Sequence, residues 1–110
     1  MKVIFHPEAE REFLAAIRQY AEIDAALAVD FESKIEEATA LVASFPGMWR
    51  EVSRGIMRCL VRRFPFGLLY AYDDDVLYVL AVMHLHAKPR YWMSREKDSP
   101  VMPRRKMRRR

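Results

Sequence analysis

The chain has a single cysteine, Cys59, so no internal disulfide can form, and a lone thiol inside an apolar run reads as a small packed hydrophobe. It has no apolar run of membrane-spanning length. Only three consecutive apolar residues precede His6 and Pro7 in "MKVIFHPEAERE", too few for a signal segment, so a soluble, cytoplasmic protein without membrane contact is expected. There is no internal repeat, and the one low-complexity stretch is "RRKMRRR" at residues 104–110. A second core is also excluded, because 110 residues are enough for one compact domain and no more.

What is present is an apolar fraction of 52%, which suits an ordered globule, and a divided charge. Residues 1–45 carry 4 basic against 9 acidic side chains, residues 46–93 carry 7 against 4, and residues 94–110 carry 8 against 2. An acidic half beside a basic half sets up a field that steers an anionic partner toward one side.

The periodicity places the elements. Residues 2–5, "KVIF", form a short strand stopped by His6 and Pro7, with Pro7 suited to the first helical position and Glu8 and Glu10 to the positive helix end. Ala9, Phe13, Ile17 and Tyr20 then step along one helix face, while Glu12 and Arg18 are expected to point away. Asp24 can cap a second helix, in which Leu27, Phe31, Ile35, Ala38, Val42 and Phe45 repeat until "FPG" ends it. The two helices form an antiparallel hairpin.

After Gly47 the period falls to two. In "GIMRCLVRRF", residues 55–64, Met57, Cys59 and Val61 share one face, and Arg58, Leu60 and Arg62 are expected to face outward. "GLLYAY" and "VLYVLAVMHL" read as two more strands joined by the polar turn "DDD". The last is apolar almost throughout, which predicts a strand that is central or covered on both faces. The layout is α+β, with the order β-α-α-β-β-β and an antiparallel sheet that carries the helix hairpin on one face.

The chemistry-bearing residues gather near the end. His84 and His86, two apart on a strand, can exchange protons near neutral pH. With Tyr91 they would make an acid–base set, and Arg58 and Arg62 would hold a phosphate. The alternative is that both histidines only hydrogen-bond locally at a strand end. No third ligand accompanies them, so neither a metal nor a cofactor is expected. Arg90, Tyr91 and Trp92 are residue types enriched in interface hot spots, although Trp92 would serve equally to fold back on the helix hairpin and close the core. Arg62 and Arg63 can also be plain edge charges. Leu14, Ala21, Ala26, Val29 and Leu41 lie beside the core stripes of the helices and offer further apolar surface. Beyond a folded domain at residues 1–93, the segment 94–110 has Pro100, Pro103 and six basic residues in its last seven, which cannot form a core, so a disordered tail with salt-sensitive affinity for phosphates is expected.

The element order, with "HPEAEREF" opening the first helix, "FPG" closing the second, then "VRRFPFGLLYAY" and "VLAVMHLHAKPRYW", resembles the RelE/ParE superfamily of bacterial type II toxins, in particular its ParE-like plasmid stabilisation branch. The resemblance covers residues 1–93. It implies a toxin neutralised by a cognate antitoxin. RelE-like members cut messenger RNA in the ribosome and ParE-like members inhibit DNA gyrase, so the site must decide between them. RelE-like nucleases gather basic residues, with a tyrosine or histidine, on the exposed sheet face and C-terminal segment. Arg58 matches one such position, and His86, with His84 and Tyr91, stands near another, but Leu60 and Gly67 replace basic residues. The thinner positive charge favours a gyrase inhibitor that docks through Arg90, Tyr91 and Trp92. A ribosome-dependent mRNA endoribonuclease, or a member with weak or lost toxicity, is the alternative. The resemblance further implies an antitoxin segment lying as a helix in an apolar groove and as an added strand, with Leu14, Ala21, Val29 and Leu41 as its contacts.

Overall fold

A computed structural model describes residues 1–101. In chain order it has β1 (Lys2–Phe5), α1 (Pro7–Ile23), α2 (Ala25–Ser44), β2 (Arg50–Ser53), β3 (Ile56–Leu60), β4 (Phe66–Tyr72) and β5 (Val76–His84), with short 3-10 turns at Pro46–Met48 and Met93–Asp98. Pro7 occupies the first turn of α1, and His6 Nδ1 accepts the otherwise orphaned Glu8 N–H at 3.0 Å. Asp24 alone separates the two helices. Its N–H donates to the Tyr20 carbonyl to close α1, and its carboxylate accepts from the Ala26 N–H at 3.0 Å to open α2. So tight a link forces α2 back along α1, and Phe31 of α2 meets Phe13 and Tyr20 of α1.

The five strands form one sheet in the order β1-β5-β4-β3-β2. The α+β class and the element order follow the sequence reading, with two additions. The first is β2, whose four residues "REVS" are too few and too polar to display an alternating pattern. It exists as half of a hairpin with β3, turned by Gly55 at φ 74°, a backbone angle that favours glycine. The second is direction: β1 pairs with β5 in parallel, which makes the sheet mixed. The whole domain intervenes between β1 and β5, so no hairpin constrains their direction.

Both faces of the sheet are covered. Toward the helices, Met57, Cys59, Leu68, Tyr70, Leu77, Val79 and Val82 pack against Phe31, Ile35 and Val42. On the opposite face Ile56, Leu69, Ala71, Tyr78, Leu80 and Ala81 form a second apolar layer, which Trp92 closes with Tyr91 and Val101. β5 lies between β1 and β4 and is buried on both sides, as its unbroken apolar run predicts. A bulge interrupts it: Leu69 pairs with Ala81 and Tyr70 with Val79, so Leu80 is the extra residue, and Leu80 and Ala81 both join the second layer.

Packing continues past the boundary expected at Met93. Residues 93–98 make a turn against the sheet and Val101 reaches the second layer, so the first part of the expected tail belongs to the folded unit. The remainder of that tail, 102–110, lies outside the described residues.

Candidate functional site: the C-terminal strap and its surroundings

β1 ends at Phe5, opposite Val79, and beyond that point the outer edge of β5 has no strand beside it. Two side chains take the place of one. The Val82 N–H donates to Glu12 Oε1 at 3.0 Å, and the Leu80 carbonyl accepts from Arg95 Nη1 at 3.0 Å. Left unpaired, each buried backbone group would cost about 1–3 kcal/mol. Arg95 also donates to both oxygens of Glu12, at 3.1 and 2.9 Å, in the forked geometry that suits a guanidinium and a carboxylate. The Tyr91 hydroxyl donates to Glu12 Oε2 at 2.7 Å, and the Arg95 guanidinium lies 5.0 Å from the Tyr91 ring centre. Glu12 is therefore the common acceptor that ties residues 91–95 to the sheet.

The electrostatics follow from this closeness. Burial, reinforced by the Glu12 carboxylate, pushes the Tyr91 phenol well above its ordinary range. Burial works against the Arg95 charge, but hydrogen bonds and charge from Glu12 outweigh it and raise its pKa. A second tie lies at the end of the strap. His6 is buried, its Nδ1 already accepts from Glu8, and the hydrogen-bond pattern therefore assigns the proton to Nε2, which donates to Asp98 Oδ2 at 2.9 Å.

Several expected site residues stand elsewhere than their spacing implied. Glu12, expected to point away, lies on the flank of α1 that meets β5. Trp92, only 4% exposed, lies inside the second layer, so it is not a surface anchor; it closes the sheet face away from the helices. Tyr91 is half-buried with its hydroxyl committed to Glu12. Of the three residues expected to dock a target, only Arg90 is exposed, at φ 63°, donating to Met93 Sδ at 3.6 Å.

The two histidines do come together. His84 Nδ1 accepts from the His86 N–H at 3.0 Å, and their rings stand perpendicular with centres 5.3 Å apart. His84 also meets the edge of Phe66, a member of the helix-side layer, whereas Tyr91 belongs to the layer on the opposite face. Arg58 and Arg62 do not converge either. Strand β3 stops at Leu60, and the corner that follows turns Arg62 to Glu37 of α2 at 3.2 Å and Arg63 to Asp30 at 3.1 Å. The Asp30 carboxyl is held below its ordinary value, first by a hydrogen bond from Lys34 against the opposing effect of burial, then by the charges of Arg63 and Lys34. Arg58 remains on the strap side of the sheet, opposite Leu69.

On the helices, Leu14, Val29 and Leu41 are 49%, 67% and 41% exposed, and Ala21 is exposed as well. A separate apolar groove of about 310 Å³ is lined by Val3, Phe5, Phe13, Ile35, Thr39 and Ala40, beside the outer edge of β1, the terminal strand of the sheet. Among the described residues, no helix is long and apolar enough to cross a membrane.

The arrangement is that of a small α+β domain already known among solved structures. A chain described as "Chromosomal ParDE TA system from P. aeruginosa" superposes with a TM-score of 0.68 at 16% identity, over 78% of this chain and 97% of that one. No curated protein sequence matches. The pattern of the family described as "ParE toxin of type II toxin-antitoxin system, parDE" matches residues 3–87. The chain belongs to that ParE toxin family, within the RelE/ParE superfamily, and the membership implies an antitoxin as its partner.

Proposed function

We propose that this chain is a toxin that acts by binding DNA gyrase and holding it in an unproductive state, with no bond-breaking chemistry of its own. An inhibitor of this kind needs only to bind one state of its target better than the others. The observation that carries the reading is the dispersal of the groups an RNA-cleaving site would need. Cleavage by the 2′-hydroxyl requires a base, an acid and phosphate-holding cations in one place. Here the Tyr91 hydroxyl is bonded to Glu12 and its ring lies in the second layer, His84 leans on Phe66 of the opposite layer, and Arg62 is turned to α2. The centre of the second sheet face is apolar and covered by Trp92, so that only its β2–β3 end, with Arg58, is left open to a nucleic acid. Family membership supports a toxin, and the resemblance to the ParE-like branch supports gyrase over the ribosome.

The antitoxin would cover the exposed apolar side chains Leu14, Ala21, Val29 and Leu41. The groove beside β1 and the open edge of that strand also suit a helix followed by an added strand, two common modes of peptide recognition. In solution the protein should therefore be cytoplasmic and paired with an acidic or apolar segment of its antitoxin until released.

Purified chain added to gyrase and relaxed plasmid tests the reading beside a second arm with translating ribosomes and message. Loss of supercoiling with intact message is the expected result. Codon-spaced cleavage of the message with normal supercoiling would replace this reading with the endoribonuclease. Inactivity in both arms from a folded chain would mark a member that has lost toxicity.

A further inference from the structure

We infer that the β2–β3 hairpin carries a phosphate clamp, Arg50 with Arg58, that grips the backbone of duplex DNA. The two arginines are direct cross-strand partners, so their side chains leave the same face of the sheet side by side. Like charges placed opposite one another destabilise a strand pair, and nothing among the described residues offsets them: neither pairs with a carboxylate. Glu51, the nearest acidic residue on the hairpin, pairs with Met57, whose side chain is on the helix-side face, and its carboxylate is taken by the Gly55 N–H at 2.8 Å. Arg54 adds an exposed charge at the turn, also without a carboxylate partner among the described residues. Arg11, Arg62, Arg63 and Arg95 have carboxylate partners; among the described residues Arg18 and Arg90 also lack one, but neither stands directly opposite a second arginine in a strand pair. An anion between Arg50 and Arg58 would convert the repulsion into two charge-assisted hydrogen-bonding interactions.

A second observation concerns how Arg58 is held. Its direct partner on β4 is Leu69, and diagonal to it, opposite Leu60, stands Gly67, where a methyl group would lie 3.3 Å from Arg58 Cγ and 3.5 Å from Cδ. The arginine stem therefore rests on the bare backbone of Gly67, half-buried, with its head group beyond. A side chain at 67 would lift that stem. The glycine that breaks the nuclease-like pattern thus has a local use as a seat for Arg58, and a seated arginine loses less freedom on binding than a free one.

Duplex DNA is the occupant because its phosphates are spaced regularly along an accessible backbone, and because the gyrase reading, on which this choice of occupant rests, places the toxin beside DNA. The clamp carries no sequence information; it adds register and affinity.

The test uses the full chain and a short duplex, with affinity measured against salt. Arg50→Gln with Arg58→Gln should weaken binding about tenfold or more and flatten the slope of log affinity against log salt by about 1 per arginine. Arg18→Gln, which removes an exposed charge from α1 that likewise has no carboxylate partner among the described residues, should change affinity less than twofold by the same measure. Gly67→Ala alters no charge, so a several-fold loss from this variant with unchanged melting would separate a seated clamp from general positive charge. The inference is overturned if the double variant binds with wild-type affinity and slope, which would assign the binding to the basic residues 102–110. It is also overturned if the chain binds no duplex, or if single-stranded RNA is held more tightly through the same two arginines. Gyrase inhibition is scored separately on the same proteins. Inhibition that survives a DNA-binding failure leaves the gyrase reading intact, and arginine-dependent DNA binding without inhibition removes that reading while keeping the clamp.

Discussion

On the helix side of the sheet, Phe31 meets Phe64, Phe66 and Tyr20 with ring centres 4.9–5.2 Å apart, and aliphatic strand residues fill the remaining space. On the other side a single chain segment lies across Ile56, Leu69, Tyr78 and Leu80, pinned by Trp92 and by the bonds of Glu12 and His6. The first covering depends on area, which many residues share. The second depends on a few directional contacts, each of which also satisfies a group that would otherwise be orphaned. Burial by area fails gradually and globally, whereas a strap fails at one point and locally, so the two faces should respond differently to truncation.

Phe31→Ala should have the largest effect, a loss of about 4–5 kcal/mol in urea unfolding, with hydrogen exchange rising throughout the domain. Trp92→Ala should cost less, about 3 kcal/mol, and its exchange should rise first in residues 80–82 and 91–98. If Trp92→Ala unfolds the domain as completely as Phe31→Ala, the two coverings are one cooperative core and the contrast fails. Glu12→Ala sharpens the comparison further. It leaves Arg95, Tyr91 and the Val82 N–H without their acceptor, for about 2 kcal/mol, and the exposed Arg11–Glu8 pair a turn away should be worth far less when broken in the same assay.

The smallest effect is a pH dependence. Tyr91 has a folded pKa above its unfolded value of about 10. Its contribution is therefore fully present below that pH and is lost as pH rises toward the folded value. Tyr91→Phe should cost about 1 kcal/mol at neutral pH and make the alkaline loss of stability shallower, as read from melting temperatures between neutral and strongly alkaline buffers. An unchanged alkaline profile would mean that the hydroxyl is not held by Glu12.

Much of the first face was legible in the sequence because its information is local. Pro7 opens α1 and Asp24 caps α2 as their chemistry predicts, the apolar steps of α1 and α2 mark the buried stripes, and Asp73 makes the expected turn by accepting from the Asp75 and Val76 N–H groups at 2.8 Å. The second face was not legible for the opposite reason. Glu12 meets Val82, Tyr91 and Arg95 across 70, 79 and 83 residues of sequence, and no period records such a meeting. Helical spacing alone has Glu12 pointing away from the apolar stripe, where a carboxylate ordinarily meets water. Trp92 is buried, but on the face away from the helix hairpin on which the sequence reading would fold it, because the face it reaches depends on the sheet topology. Arg62 shows the same limit at closer range: alternation assigned it to the face of Arg58, and the end of β3 at Leu60 sent it to Glu37 instead. The one signal within reach was Gly55 after Arg54, a turn residue that marks the β2–β3 hairpin and hence the opposed arginines.

The claim that this toxin works by contact is tested most directly by expressing a His86→Ala, Tyr91→Phe double variant from a tightly controlled promoter, with its melting checked in parallel. Growth arrest close to that of the unaltered chain, with messages intact and plasmid supercoiling lost, is the predicted result. Full recovery of growth by a folded variant, where the unaltered chain fragments messages, would contradict it.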